Sequence, residues 1–540
     1  MRRWNGWGDD TICFPLPESA HRFLTERIGE ATPLPDAGLD EVLARVPQSR
    51  LPDHPLVTKS AEERMRHARG QSLPDWLALR SGNLGVFPDG VAYPTNSEDV
   101  RNLLAYAKEV GAFIIPYGGG TSVVGHITPE EGSSPVLTID MGRMNRLVSL
   151  DKESQIATFG SGTAGPDVEA QLRAQGYTLG HFPQSFECST LGGWVATRSS
   201  GQQSLQYGRI EHLFAGGQVE TPVGTLEIPA FPASAAGPDL REMVLGSEGR
   251  LGVLTDVKVR VTPLPERERF HVVLFPDWQA AVAAVRTAAQ TRIPLSMLRL
   301  GNSTETETQL AFAGHERLVA LFERLLSWRG IRVEKCMLMF GVTGTRIQCR
   351  TALKQALRIF KRKKGVHTGT YMGRKWAQSR FLTPYLRNSL WEKGYAVDTL
   401  ETATNWQGVD QMVAAIESAL SGVRENEGEK IHVFTHLSHL YPQGSSIYAS
   451  YIFPVGKTYE ETLARWQRLK IAASEAIVAN GGTISHQHGI GVDHAPYLAA
   501  EKGPLGIATI ETLCRQFDPN GMMNPGKLVR SFPSVENRIR

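Results

Sequence analysis

Phe113-Ile114-Ile115-Pro116-Tyr117-Gly118-Gly119-Gly120-Thr121-Ser122 joins a short apolar run to three consecutive glycines and two hydroxyl residues. The apolar half reads as a buried strand. Gly118, Gly119 and Gly120 permit backbone angles closed to other residues, and they let successive N–H groups point into one concavity that suits a pyrophosphate. Thr121 and Ser122 add hydroxyl donors. No lysine follows the glycines, so this is no Walker loop, and it lacks the spacing of a dinucleotide fingerprint opening a Rossmann helix. Alone, a triple-glycine turn is more often structural.

Three further small-residue loops follow. Pro183-Gln184-Ser185-Phe186-Glu187-Cys188-Ser189-Thr190-Leu191-Gly192-Gly193 is the first, Ala196-Thr197-Arg198-Ser199-Ser200-Gly201 the second, and Gly246-Ser247-Glu248-Gly249-Arg250-Leu251-Gly252-Val253-Leu254 the third. Four such loops within one α/β stretch favour a bound cofactor over four unrelated tight turns. That stretch runs from Val86 to Pro265. Within it a helix is expected over Val100–Val110, strands over Pro135–Asp140 and Ile156–Gly160, and a helix over Asp167–Gln175 closed by Gly176. From Glu266 to Asn480 the pattern turns to longer helical segments with fewer glycines, one of them ending in the basic run Lys361–Lys364. Gly/Pro-punctuated loops and a helix over Ile507–Phe517 close the chain. Pro263-Leu264-Pro265 and Asn480-Gly481-Gly482 mark boundaries, giving an N-terminal segment 1–85, a cofactor domain 86–265, a substrate domain 266–480 and a C-terminal segment 481–540.

A chain of 540 residues is too long for one core. Its 41% hydrophobic and 21% charged content is that of a globular enzyme. A net charge of +3 provides no general field for nucleic acid, so no nucleic-acid partner is expected. The five cysteines, Cys13, Cys188, Cys336, Cys349 and Cys514, form no CxxC pair. This points to a reducing compartment and to no metal site. No apolar stretch reaches membrane-spanning length, and no signal-peptide core follows Arg2-Arg3. Asn537-Arg538-Ile539-Arg540 is not a Ser-Lys-Leu address. A cytoplasmic protein is expected, with peripheral membrane contact through Lys361–Lys364 as one reading and a solvated, dipole-stabilised helix end as the other.

In the C-terminal half, Ser485-His486-Gln487-His488-Gly489 places two histidines at alternate positions after an expected strand, where they face one side. Such a pair serves equally as metal ligands, polar loop residues or proton-transfer groups working near a pKa of about 6.5. Tyr448 lies in an alternating apolar strand, where a tyrosine is commonly structural. Arg387, in Tyr385-Leu386-Arg387-Asn388, would by default be a surface arginine, although its fork suits phosphate or carboxylate. His126 and His181, near the small-residue loops, are read as surface or packing residues rather than flavin attachment points.

The order of these motifs resembles the vanillyl-alcohol oxidase/PCMH superfamily of FAD enzymes. Within it the chain is similar to the alkyl-dihydroxyacetonephosphate (alkylglycerone-phosphate) synthase branch, from Arg3-Trp4-Asn5-Gly6-Trp7-Gly8 to Asp518-Pro519-Asn520-Gly521. The resemblance implies an α+β fold with a two-lobed FAD-binding domain and an α+β cap. It implies FAD held non-covalently by Pro116, Tyr117, Gly118, Gly119, Gly120, Thr121 and Ser122, and by Pro183, Gln184, Ser185, Phe186, Glu187, Cys188 and Ser189. Ala196, Thr197, Arg198 and Ser199 complete the set with Glu248, Gly249, Arg250, Leu251, Gly252, Val253 and Leu254. Arg387 matches the clamp for a small anionic, phosphorylated substrate, and Tyr448, His486 and His488 match the proton-transfer residues.

The implied reaction exchanges the acyl group of acyl-dihydroxyacetone phosphate for a fatty alcohol through a flavin adduct, with no net redox change. The alternative is an FAD-linked dehydrogenase or oxidase of glycerol 3-phosphate or a 2-hydroxy acid, and a third reading is a flavin-binding protein without turnover. Animal members of the branch carry three consecutive histidines, and Gln487 replaces the middle one here. A homodimer is a further expectation.

Overall fold

The first sheet is built from β1 (Val57–Thr58), β2 (Gly90–Ala92), β3 (Phe113–Tyr117) and β4 (Val136–Asp140), in the order β1-β2-β4-β3. In the computed structural model, which describes residues 2–314, 316–427 and 430–529, β2 and β3 both run parallel to β4. A parallel pair needs a crossover, and the helix Ser97–Val110 provides one. Asn96 caps it by accepting the Asp99 N–H, so it begins three residues before the apolar periodicity does. Val100, Leu103, Leu104 and Ala107 form its buried stripe, and Gly111 ends it at φ 67°. The residues 537–540 lie outside those described.

β5 (Leu147–Asp151), β6 (Ile156–Gly160), β7 (Tyr177–Thr178), β8 (Phe214–Thr221), β9 (Gly224–Ile228), β10 (Val253–Arg260) and β11 (Thr262–Pro263) follow. β7 pairs with β11, and the others make an antiparallel sheet in the order β5-β6-β10-β8-β9. The helix over this sheet spans Gly165–Arg173 rather than 167–175, because Pro166 fits a first helical turn and the chain leaves the helix at Ala174. The segment after Asp518 returns to the first sheet. Ile114 donates to Met522 O and accepts from Asn524 N, so the chain's end closes the edge of β3.

Where the residue pattern after Glu266 suggested longer helical segments, the α+β cap that the resemblance implies carries the largest sheet of the molecule. β12 (Arg267–Phe275), β13 (Met297–Gly301), β14 (Cys336–Gly344), β15 (Val366–Gly369), β16 (Tyr395–Asn405), β17 (His432–Leu440) and β18 (Gly444–Pro454) pair in the order β15-β12-β14-β13-β17-β18-β16, every pair antiparallel. Alternation along each strand divides the sheet. Leu338, Phe340, Ala449, Tyr451 and Phe453 enter the main core together with residues of the helices Trp278–Gln290, Arg346–Arg362 and Tyr459–Ala479. Met337, Met339, Tyr448, Ser450 and Ile452, on the opposite side, face a cavity. Lys361 and Arg362 occupy the last turn of the helix Arg346–Arg362, and the whole run Lys361–Lys364 is exposed.

Among the described residues, no helix is long and apolar enough to cross a membrane. The described cysteines are all free.

Candidate active site

The cavity of about 950 Å³ lies between the loops of the first two sheets and the open face of the seven-stranded one. Pro116 to Ser122 all line it, as do Pro183, Gln184, Ser185 and Ser189. Ala196, Thr197, Ser199, Glu248, Gly249, Gly252, Val253 and Leu254 line it too, with Thr190, Gly192, Gly193, Ser200 and Ser247 of the same loops. The glycines bring these loops into contact. A Cβ on Gly119 would lie 1.7 Å from Cys188 O, and Gly120 sits at φ +60° under the Tyr117 hydroxyl. Any larger residue at Gly119 would push the first loop off the second.

Six residues of those loops turn away. Phe186 stacks on Phe381 at 4.6 Å in the core under the second sheet. Glu187 and Cys188 do not line the cavity: burial raises both groups, and Cys188 packs against the main core. Arg198 ends a helix at φ 53° and pairs with Glu242 at 2.7 Å. Arg250 donates to Met523 O at 2.7 Å, and Leu251 packs beside Leu498 and Cys514. These six hold the loops, and their neighbours face the cavity. Glu248 lines the cavity, yet its carboxylate accepts the Ile490 and Gly491 N–H groups. His126 and His181 are both buried, which leaves packing rather than surface of the two readings. His181 packs on Trp194, and burial takes it down to about 3.

The residues fit FAD. The lining combines a triple-glycine turn with serine and threonine hydroxyls, and Asn524 Oδ1 is buried there without a hydrogen-bond partner among the described residues. No local pattern around Asn524 singles it out. Ser161, also lining the cavity, follows β6 in a small-residue turn that could have flagged it.

Arg387 reaches the same cavity and is not a surface residue. Its guanidinium lies 4.2 Å from the Trp76 ring centroid and donates through NH1 to Gln71 O. NH2 is buried with no partner among the described residues. Burial lowers the group to about 10, with Asp398 and Asp75 opposing, so it stays cationic at neutral pH. Tyr448 stacks on His436 at 4.8 Å and meets His488 edge-on at 5.9 Å. Burial pushes its phenol up, the Glu401 carboxylate adding to the effect.

The two histidines of the His-Gln-His segment follow the helix Tyr459–Ala479 rather than a strand, in irregular chain. Both nevertheless converge on Glu401, a residue of β16 not singled out in the sequence. His486 Nδ1 is 3.0 Å from Glu401 Oε1, and His488 Nε2 is 3.9 Å from Oε2. Burial works to raise the Glu401 carboxyl, but His486, His439 and His488 outweigh it and hold the group well below the usual carboxylate range. Only His488 and Gln487 of the segment line the cavity. His486 is engaged on both nitrogens: beyond Glu401, its Nε2 faces Arg209 NH1 at 2.6 Å and the Tyr441 hydroxyl at 2.7 Å. It does not itself line the cavity.

Glu401, His439 and His486 also bring three ligand-type atoms within 4.8 Å of one another, where the cysteine pattern had suggested no metal site. The Arg209 guanidinium inside that group places a fixed positive charge against the imidazole nitrogen, which suits a hydrogen-bond network better than a cation.

Two family models match the chain: an FAD binding domain over residues 88–228 and the C-terminal domain of FAD linked oxidases over residues 264–528. An alkyldihydroxyacetonephosphate synthase of Trypanosoma brucei brucei is 30% identical over 98% of this chain and 93% of the relative. One from Dictyostelium discoideum is 29% identical over 99% and 94%. A solved alkyldihydroxyacetonephosphate synthase structure superimposes with a TM-score of 0.83 at 27% identity, covering 98% of this chain and 99% of that one. With its glycine-loop cradle, its buried arginine and its Tyr–His–Glu cluster at one cavity, the chain belongs to the alkyldihydroxyacetonephosphate synthase family of FAD-linked enzymes.

Proposed function

We propose that this enzyme replaces the acyl group of acyl-dihydroxyacetone phosphate by a fatty alcohol, without net redox change. The observation that carries this reading is the mixed lining of the cavity. Arg387, Tyr448 and His488 share its wall with Met297, Met337, Met339, Trp376, Phe434 and Ile452. A hydroxy acid or glycerol phosphate has nothing to place against those apolar side chains, whereas a long acyl or alkyl chain gains about 0.8 kcal/mol for each methylene it buries there.

FAD, held by the glycine loops Pro116–Ser122 and Glu248–Leu254, would supply an electron-accepting ring. Arg387 holds the phosphate through NH2, its free donor, while Trp76 and Gln71 fix the rest of the guanidinium. Tyr448 and His488 move the proton at the carbon next to the carbonyl, with Glu401 beside His488 to balance its charge when protonated. Gln487, lining the cavity, offers a neutral amide in place of a third imidazole.

Purified enzyme given acyl-dihydroxyacetone phosphate and labelled fatty alcohol should form labelled ether product with no electron acceptor added. Rapid flavin bleaching by glycerol 3-phosphate or a 2-hydroxy acid, with a keto product and no ether product, would replace this reading by the dehydrogenase one.

A lipid-handling cavity also needs a route to lipid. The helix Glu316–Ser327 buries Leu326, while Leu318, Leu321, Leu325 and the following Trp328 are 64%, 56%, 51% and 78% exposed. Exposed Arg317, Arg324, Arg329 and Arg332 border them, a pattern that suits an anionic membrane surface better than the solvated run Lys361–Lys364 does. Co-sedimentation with phosphatidylcholine/phosphatidylserine vesicles should fall in a Leu321→Glu/Trp328→Glu double variant, and equal binding by the two proteins would reject this face.

A further inference from the structure

The N-terminal strap and the anion clamp meet at one residue that carries no charge and no reactive group. Gln71 is 6% exposed and lines the cavity. All four of its polar groups are engaged, each with a different part of the site. Its backbone N–H donates to Ser122 O at 2.6 Å, at the end of the first glycine loop. Its carbonyl accepts from Arg387 NH1. Its side-chain Oε1 accepts from Trp76 Nε1 at 2.7 Å, and its Nε2 donates to Gly6 O at 3.3 Å.

These bonds determine where the guanidinium can lie. Arg387 rests against the Trp76 ring, and the indole N–H is held by Gln71. The next residue, Asn388, is bonded at both ends to Trp7: Trp7 N donates to Asn388 Oδ1 and Asn388 Nδ2 donates to Trp7 O, each at 3.0 Å. The segment Gly6-Trp7 thus holds the arginine-bearing helix Leu386–Trp391 from one side and the Gln71 amide from the other. A side chain at Gly6 would press on this contact, since a Cβ there would lie 2.6 Å from Asn388 Oδ1.

We propose that Gln71 is the positioning residue for substrate phosphate. It holds Trp76 and Arg387 at a fixed place relative to the flavin loop, with the unpartnered NH2 of Arg387 left to meet the anion. Gly6 and Trp7 are then part of the phosphate site although neither carries a charge. The proposal rests on Arg387 being the anion clamp, and the test separates the two.

Gln71→Met keeps the volume and removes both side-chain hydrogen bonds. In flavin-loaded enzyme it should raise the KM for acyl-dihydroxyacetone phosphate about tenfold with a smaller change in kcat, the signature of lost ground-state binding. The inhibition constant of inorganic phosphate should rise in parallel. KM does not depend on the fraction of folded enzyme, so a merely structural role would lower the yield or melting temperature and leave KM alone. Trp76→Phe, which keeps a ring and removes the N–H, should give the same split and serves if Gln71→Met fails to fold. Arg387→Ala is the control. A large KM increase in Arg387→Ala with wild-type KM in Gln71→Met and Trp76→Phe overturns the proposal alone. Unchanged KM in Arg387→Ala overturns the clamp reading and the proposal together.

Discussion

Arg209 NH1 lies 2.6 Å from His486 Nε2, and a guanidinium can only donate. The imidazole must therefore present a lone pair at Nε2 and carry its proton on Nδ1, towards Glu401 Oε1 at 3.0 Å. The tautomer follows from the partners. Burial lowers His486, with Glu401 opposing, so a neutral ring sits between a fixed cation and a fixed anion. This leaves His488 as the histidine of the pair that faces the cavity.

Glu401→Gln should therefore cost turnover rather than substrate binding. The amide can still accept from His486 but no longer balances a protonated His488. We expect kcat to fall about 100-fold with KM changed little. Steady-state kinetics on flavin-loaded enzyme checks this, and the His486→Asn variant should be less damaged than His488→Asn.

Tyr448→Phe should lower kcat by about 100-fold or more while flavin content and melting temperature stay near wild type. The ring is stacked on His436, and phenylalanine preserves that contact. A variant that loses its flavin would show instead that the hydroxyl is structural.

Gly119→Ala should abolish flavin retention. The added methyl would sit 1.7 Å from Cys188 O, so the first two cofactor loops must separate. Gly176→Ala is the contrast: its Cβ meets nothing within 4 Å, and only its φ of +85° opposes the change. The ratio of flavin to protein absorbance should collapse in the first and persist in the second.

Stability should fall steadily on mild acidification. Burial takes His439, His494 and His181 down to about 3, so each is neutral when folded and protonates at about 6.5 when unfolded. A base with a lowered folded pKa contributes fully above the unfolded value and loses that contribution as pH falls below it. The urea midpoint should thus drop between pH 7 and pH 5, and His181→Asn should flatten the dependence.

The α+β architecture and the FAD chemistry were legible because glycine leaves a local signature: a turn that needs a missing Cβ shows in the sequence wherever it occurs. The seven-stranded sheet was not. β14 is Cys336-Met337-Leu338-Met339-Phe340-Gly341-Val342-Thr343-Gly344, buried on both sides up to its last residue, so the period-two alternation of a half-exposed strand is absent. Glu401 escaped notice because a lone acid in a strand looks like an exposed one until His486 and His488 are placed beside it. Gln71 was further out of reach, since two of its four bonds are made by its backbone. Arg198 and Arg250 erred the other way: they stand inside cofactor motifs, but motif membership does not say which way a side chain points.

The two-sided sheet separates what the enzyme grips from what keeps it folded. Met337 and Met339 line the cavity, while their immediate neighbours Leu338 and Phe340 belong to the helix-backed core. Shape changes in the cavity wall can therefore be written at Met297, Met337, Met339 and Ile452 without disturbing the helices behind. Because methionine is unbranched and pliable, the existing wall already conforms to chains of more than one contour. Chain-length preference in this enzyme is a property that can drift, or be redesigned, one alternate residue at a time.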